Sequence, residues 1–157
     1  MTEEGRVYFQ DAWPIELGTE CFGCGRNNEK GLQIKSYWED DEAICVWQPK
    51  DYHKAFLRNT CGGIITTVID CHCTNTAIAY AYKLENRKLG TKPIPMYVTG
   101  SLSIKLIKPT PLGKPLRFVA RIKEMTERKI ITTCEVFYRK RKTAEGEVTL
   151  IKLKIQQ

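Results

Sequence analysis

The stretch that decides the fold is residues 60–82, which read TCGGIITTVIDCHCTNTAIAYAY. It contains no proline, does not alternate apolar with polar residues, and is too long for a strand, so it predicts an α-helix. Asp70 is the only formal charge before Lys83, and small or apolar residues occupy nearly all sides. Such a helix must be covered by other structure over most of its surface.

Strand patterns lie on both sides of this helix. Residues 32–36 alternate apolar with polar residues, and residues 43–47 are rich in β-formers, so the two segments predict a hairpin that ends at Pro49. Four further strands are separated by glycine, proline or charged turns: residues 98–106, 116–123, 129–139 and 147–155. We expect consecutive strands of this group to pair antiparallel, as a four-stranded meander.

The first strand after the helix has the clearest alternation. One face carries the apolar residues Val98, Leu102, Ile104 and Leu106, and the other carries Thr99, Ser101, Ser103 and Lys105. This pattern is typical of a strand that is half buried, and it stops at Lys108 and Pro109.

Six strands and one buried helix predict an α+β architecture in which a curved antiparallel sheet wraps around the helix. This arrangement is the hotdog fold. At 157 residues the chain fits one domain, residues 1–157, with residues 1–31 as an extension that packs on it.

Composition limits the function. With 42% hydrophobic and 27% charged residues the chain is not largely disordered, and no stretch approaches the ~18 apolar residues of a membrane span. The first residues, Met-Thr-Glu-Glu-Gly, lack the basic and apolar regions of a signal peptide, so we expect a cytoplasmic protein. Seven cysteines, an odd number, then indicate reduced thiols.

The net charge of +7 favours an anionic partner, which could be a phosphorylated cofactor, a nucleic acid or an acidic membrane. The basic run at residues 139–142 is the best indication of nucleic-acid binding, but no aromatic residues are interleaved with it. We therefore expect neither a nucleic acid nor a membrane as partner.

Three stretches carry a family resemblance. They are Cys-Phe-Gly-Cys-Gly at residues 21–25 with the following Gly-Leu-Gln-Ile at 31–34, Cys-Gly-Gly at 61–63 with the acid at 70, and the strand and Pro-x-x-x-Gly turn at 98–113. In this order and spacing the chain resembles the acyl-CoA thioesterases of the hotdog superfamily, particularly the phenylacetate-pathway and thioesterase-superfamily-member branches. The likeness covers residues 21 to about 122, and the last two strands match by pattern only.

The resemblance implies thioester hydrolysis, which requires donors for the oxyanion and a carboxylate that attacks or activates water. The amides of Gly62 and Gly63, at a helix N-terminus, are the candidate donors. The alternative is that the two glycines only permit close packing. Asp70 is the candidate base or nucleophile, and the alternative is a structural aspartate bonded to its own helix or to a partner subunit.

Two hydroxyls are candidates to assist Asp70. Thr74 lies one turn further along the same helix face and could orient the carboxylate or the attacking water, or could simply bond its i−4 carbonyl. Thr99 aligns with a family hydroxyl that positions the nucleophilic water, and its alternative is a surface strand threonine.

Cys61 is the main departure from the family, because many relatives have histidine before the glycine pair and a thiol is a poorer donor. It could be a nucleophile activated by the helix N-terminus, or a buried thiol. His53 in the preceding loop could reach the site, although a solvent-exposed loop histidine is the expected arrangement.

Substrate binding is predicted from Asn59 and Cys61 near the helix start and from the basic residues Lys105, Lys108 and Arg128. The basic residues could meet the phosphates of coenzyme A, or could be solvated strand and turn positions. No cofactor is expected beyond the coenzyme A of the substrate.

The cysteines also raise the possibility of a zinc site, formed by Cys21 and Cys24 with Cys71, His72 and Cys73. Consecutive helical residues are separated by about 100°, so the last three cannot all converge on one ion. We therefore expect no metal site.

In the family the glycine amides and the acid come from different subunits. The resemblance thus implies a homo-oligomer, a dimer or a tetramer, acting on an acyl- or aryl-CoA of small or medium size. A non-hydrolytic hotdog protein that binds an acyl-CoA or another small ligand is the alternative from a different class.

Overall fold

The computed structural model describes residues 5–154. Two α-helices and six strands form in this order, besides three short 3-10 turns: α1 (Phe9–Ala12), β1 (Ser36–Glu39), β2 (Glu42–Trp47), α2 (Gly62–Leu84), β3 (Tyr97–Leu106), β4 (Leu116–Met125), β5 (Lys129–Tyr138) and β6 (Arg141–Lys152). All neighbouring strands pair antiparallel in one sheet, in the order β1-β2-β4-β5-β6-β3. The predicted α+β hotdog architecture is confirmed. No helix within residues 5–154 is long and apolar enough to cross a membrane.

The predicted meander is wrong in one connection. β3 does not pair with β4; it pairs with β6 at the far edge of the sheet, and β4 pairs with β2 and β5. Residues 107–115, which join β3 to β4, contain three prolines and are too long for a tight hairpin. The segment instead carries the chain across to the other half of the sheet, and Thr110 accepts a hydrogen bond from the Thr60 amide there (2.8 Å).

Two strands, β1 (Ser36–Glu39, predicted at 32–36) and β6 (Arg141–Lys152, predicted at 147–155), differ from their predicted bounds by more than two residues. β1 begins at Ser36, so residues 32–35 precede the hairpin, and β6 begins at Arg141 instead of residue 147. The turn before β6 is short because Arg139 adopts a left-handed conformation (φ 55°), and the basic run continues directly into the strand. The predicted end of the last strand, Ile155, lies outside the described residues.

The core lies between α2 and the inner face of the sheet. The largest fully buried strand residues on this face are Leu116, Phe118, Ile130 and Leu150. The N-terminal segment adds Phe9 and Trp13, and the Trp13 indole donates a hydrogen bond to Asn75 Oδ1 of α2 (2.5 Å). The described part of the predicted extension, residues 5–31, therefore packs directly on the central helix.

A β-bulge at Gly100 changes the side-chain alternation of β3. Thr99 pairs with Leu150 and Ser101 with Thr149, which leaves Gly100 as an extra residue. Before the bulge Thr99 faces α2, and after it Ile104 does. The single alternation predicted for this strand is therefore wrong: Val98 does not share the inner face, and Thr99 does.

Candidate active site

Asp70, Thr74 and Thr99 form one hydrogen-bonded group between α2 and β3. Thr99 Oγ1 donates to Asp70 Oδ1 over 2.6 Å. Thr74 Oγ1 donates to the Asp70 backbone carbonyl (2.9 Å) and lies 3.3 Å from Thr99 Oγ1. The bond to the i−4 carbonyl is thus present, and it also places the Thr74 hydroxyl beside the second threonine. The structure brings all three predicted residues together.

The surroundings of Asp70 favour its protonated form. Burial raises the pKa of this half-buried carboxyl, the hydrogen bond from Thr99 opposes the rise, and negative charge on the nearby Cys21 sulfur adds to it. The net direction is upward. A carboxylate with a raised pKa is a stronger base, which suits it to take a proton from water near neutral pH.

The start of α2 presents free backbone donors. Within residues 5–154, the amides of Gly62 and Gly63 donate to no acceptor, whereas those of Ile64 and Ile65 both bond the Cys61 carbonyl (3.0 and 3.1 Å). A Cβ on Gly62 would lie 2.6 Å from Leu106 Cδ1, so this amide lies close against β3. Unpaired amides at a helix N-terminus favour a negative charge.

The two halves of the predicted machinery are far apart within one chain. Asp70 follows Gly63 by seven residues on the same helix. At 1.5 Å per residue this separates them by about 10 Å along the helix axis. One thioester carbonyl cannot reach the Gly63 amide and the Asp70 carboxylate of the same chain.

Cys61 and His53 lie beside the helix start. Cys61 is the half-buried N-cap residue and makes no side-chain cap bond; its amide donates to the His53 carbonyl (2.8 Å). The expected exposure of His53 is wrong, because the turn Asp51–His53 folds back and packs the ring 5.3 Å from that of Trp47. His53 Nδ1 accepts a hydrogen bond from the Lys50 amide, and burial lowers the pKa of the imidazole.

The predicted phosphate-binding residues are not a cluster within one chain. Lys105 lies opposite Glu145 on the face of the sheet that points away from α2. The Lys108 amide donates to Thr143 at the start of β6, whereas the Arg128 carbonyl accepts from Lys152 at its end. Those two β6 positions are about 30 Å apart at 3.3 Å per residue.

Asn59, the remaining predicted substrate-binding residue, is half-buried two positions before Cys61. Its side-chain amide donates to the Phe56 carbonyl (3.1 Å). The roles of Asn59, Cys61, Lys105, Lys108 and Arg128 in binding substrate stay predictions.

A second group of reactive side chains lies next to Asp70. The sulfur atoms of Cys21, Cys24 and Cys71 all lie within 4.8 Å of one another, and all three residues are half-buried. His72 instead points into the core, where its ring nitrogens lie 2.8 Å from Ser36 Oγ and 3.0 Å from the Ala43 carbonyl. Cys73 is also a core residue. The consecutive residues 71–73 do diverge as expected, but Cys71 alone meets the first two cysteines.

Sequence patterns contain weak signals for these features. The Cys-x-x-Cys spacing marks Cys21 and Cys24, and nothing local indicates that residue 71, rather than 72 or 73, faces them. Gly100 inside a strand is a recognised indication of a bulge.

Comparisons with known proteins agree with this architecture. A helix wrapped by one antiparallel sheet places the chain in the class of hotdog proteins. A family model described as fluoroacetyl-CoA-specific thioesterase matches residues 95–154. A thioesterase superfamily protein from Shewanella loihica PV-4 is 32% identical, covers 77% of this chain and 91% of its own, and superposes with a TM-score of 0.64. The chain therefore belongs to the thioesterase superfamily, and this membership supports thioester hydrolysis as its general activity.

Two more distant structures share the fold. A putative thioesterase from Ralstonia eutropha JMP134, described as related to phenylacetic acid degradation, is 15% identical, with 76% of this chain and 85% of that chain covered and a TM-score of 0.65. The E. coli PaaI protein from the phenylacetic acid degradation operon is 12% identical, with 78% and 81% covered and a TM-score of 0.64. No curated protein matches the chain.

Proposed function

We propose that the protein hydrolyses a small or medium acyl- or aryl-CoA thioester, with Asp70 as base or nucleophile. The observation that carries this proposal is the Thr99–Asp70 hydrogen bond (2.6 Å), which orients a half-buried carboxyl of raised pKa on the helix face beside β3. Superfamily membership supports the same reaction.

In the proposed reaction, the thioester carbonyl oxygen is bound by the amides of Gly62 and Gly63. The charge that develops on this oxygen is stabilised by the two donors and by the helix N-terminus. Asp70 Oδ1 is held by Thr99, so Oδ2 takes the proton of the attacking water or attacks the carbonyl itself. Thr74 and Thr99 position these groups. When the C–S bond breaks, Asp70 returns the proton taken from water to the sulfur, and coenzyme A leaves as its thiol. If Asp70 attacks the carbonyl itself, a water then hydrolyses the acyl-aspartyl anhydride and supplies this proton.

The reaction requires a second copy of the chain, because Asp70 and Gly63 of one chain are about 10 Å apart. β3 is an edge strand of ten residues, and among residues 5–154 no strand pairs with its outer side. Its helix-side residues Leu102 and Leu106 are 42% and 57% exposed. We infer that two copies join along β3, which covers these side chains and places the amides of one copy opposite Asp70 of the other, in a dimer or a tetramer.

The proposed substrate is a coenzyme A ester, and its phosphates are the anion that a net charge of +7 favours. A nucleic-acid partner is not proposed, since the basic run is partly neutralised: Lys142 pairs with Glu135 and Glu145 (3.2 and 2.7 Å). Lys105, Lys108 and Arg128 are proposed phosphate ligands. Because they lie at opposite ends of β6, no single phosphate group contacts all three from one chain.

The decisive experiment is a coenzyme A release assay over a panel of acyl- and aryl-CoA esters, read with a thiol reagent. We expect turnover of short and medium or aromatic esters, and none in the absence of protein. If the esters raise the melting temperature but no thiol appears, the protein binds without hydrolysis and the proposed function is wrong.

The role of the helix-start amides is tested by replacing Gly62 with proline, which removes the N–H. Proline is compatible with this first helical position, because Cys61 before it is extended (φ −56°, ψ 129°). We expect kcat to fall by about 10²-fold, as for the loss of one oxyanion donor. The matched control is Gly62→Ala, which adds the same Cβ near Leu106 but keeps the donor. Equal kcat values for the two variants would remove this amide from the mechanism.

A further inference from the structure

Three cysteines from two parts of the chain converge beside the candidate active site. Cys21 and Cys24 lie in the loop before β1, and Cys71 lies on α2, immediately after Asp70. Their three sulfurs lie within 4.8 Å of one another, and those of Cys21 and Cys71 are 3.8 Å apart. We propose that Cys21, Cys24 and Cys71 bind one zinc ion.

The spacing of the sulfurs fits a tetrahedral ion. Zn–S bonds of about 2.3 Å at tetrahedral angles place two sulfurs about 3.8 Å apart. The Cys21–Cys71 distance of 3.8 Å has this value. A disulfide would require about 2.05 Å between the same two atoms. Thiolate sulfur is a ligand that zinc prefers and that calcium and magnesium do not.

The loop at residues 21–25 has the form of a two-cysteine metal-binding turn. The Gly25 amide donates to the Cys21 carbonyl (2.8 Å), which closes a turn that contains both cysteines. The Cys21 and Cys24 sulfurs lie within 4.8 Å of each other and of Cys71 Sγ, so both are on the side of the loop that faces α2.

Gly23 is required for the third ligand to approach. A Cβ at this position would lie 2.2 Å from Cys71 Sγ and 3.3 Å from a methyl of Thr67. The loop is also fastened to the residues before β1, since the Leu32 amide donates to the Phe22 carbonyl (2.7 Å) and the Ile34 amide to that of Gly23 (3.2 Å). These contacts hold the loop that carries Cys21 and Cys24 in place, with Gly23 directly against Cys71.

Three of the other four cysteines are ordinary buried thiols. Cys45, Cys73 and Cys134 are buried core residues, whereas the three converging cysteines are half-buried and open to an ion from solvent. Among residues 5–154, no fourth Cys, His, Asp or Glu belongs to the group. We assign the fourth position to water, so the ion is held by three protein ligands, and it joins the N-terminal loop to the helix next to Asp70.

The test is the zinc content of the full chain, expressed with added zinc and purified under reducing conditions. We expect about one zinc per chain by elemental mass spectrometry. After chelation, Co²⁺ should restore a tetrahedral-thiolate spectrum with intense sulfur-to-cobalt charge-transfer absorption. Cys21→Ser and Cys71→Ser should each lower the zinc content by about 10-fold or more. The control is Cys61→Ser, which replaces the half-buried cysteine at the N-cap of α2, outside the group. This variant should keep the zinc content of the wild-type chain.

Three results would overturn the assignment. The first is a reduced wild-type protein that retains no zinc and gives no cobalt charge-transfer band. The second is a Cys21–Cys71 disulfide in peptide mass mapping of protein purified without reductant, with no metal present. The third is equal zinc content in Cys71→Ser and in the Cys61→Ser control. The cobalt spectrum of the wild-type chain decides the question even if a cysteine variant fails to fold.

Discussion

Replacing Asp70 with asparagine should leave the fold intact and lower kcat for acyl-CoA hydrolysis by about 10³-fold, at the level of a lost general base. The amide is the same size as the carboxyl and still accepts the Thr99 hydroxyl through its oxygen, so the hydrogen bond of 2.6 Å can persist. It can neither take a proton from water nor attack the thioester. Steady-state coenzyme A release and the melting temperature, measured side by side, check the prediction.

The matched control is Asp41→Asn in the β1–β2 turn. The Asp41 carboxylate is fully solvated and forms only an exposed ion pair with Lys83 (3.1 Å), so its replacement should change neither kcat nor the melting temperature appreciably. If Asp70→Asn keeps turnover close to that of this control, Asp70 is not the base or nucleophile.

A mixed dimer should regain activity that neither of its two parents has. One chain carries Asp70→Asn and the other carries Gly62→Pro, and the chains are co-expressed with different tags and purified by both. Suppose that each site combines Asp70 of one copy with the Gly62 amide of the other. One site of the mixed dimer then contains both substitutions, and the other site contains neither. We expect roughly half of the wild-type kcat per dimer, because one of its two equivalent sites is intact.

The control for this experiment is a doubly tagged dimer in which both chains carry Asp70→Asn, and it should stay inactive. A mixed dimer that is no more active than this control would show that the two elements do not meet across a subunit boundary. Recovery of only one tag, which means that no stable pair forms, would contradict the proposed dimer directly.

Much of the fold could be predicted from local patterns. The α2 segment is evident because a long run without proline or alternation can hardly form anything else, and the structure places it at Gly62–Leu84. The strands are evident as well, since each is bounded by turn residues, and the pairings of β1 with β2, β4 with β5 and β5 with β6 are as predicted. The pairing of β3 could not be predicted, because whether it lies beside β4 or β6 is decided by contacts between residues distant in sequence, which local alternation does not encode.

The candidate site, too, could be predicted from the sequence only in part. Asp70 could be found because a single charge in an apolar helix is costly unless it has a function or a partner. The orientation of Thr99 depends on the bulge, which is set by the pairing of β3 with β6. The cysteine group could not be assembled from the sequence, since Cys21 and Cys71 are 50 residues apart and only the folded chain selects Cys71 over its neighbours.

The extra residue at Gly100 divides β3 into two functional parts. Thr99, before the bulge, donates its hydroxyl hydrogen bond to Asp70, whereas Ile104, after it, packs against the core, and Leu102 and Leu106 lie at the open edge of the sheet. The bulge shifts the side-chain alternation by one position. The orientation of Thr99 toward Asp70 is therefore independent of the orientation of residues 102–106. The hydroxyl next to the acid can therefore be exchanged during evolution or redesign while the rest of the strand keeps its packing.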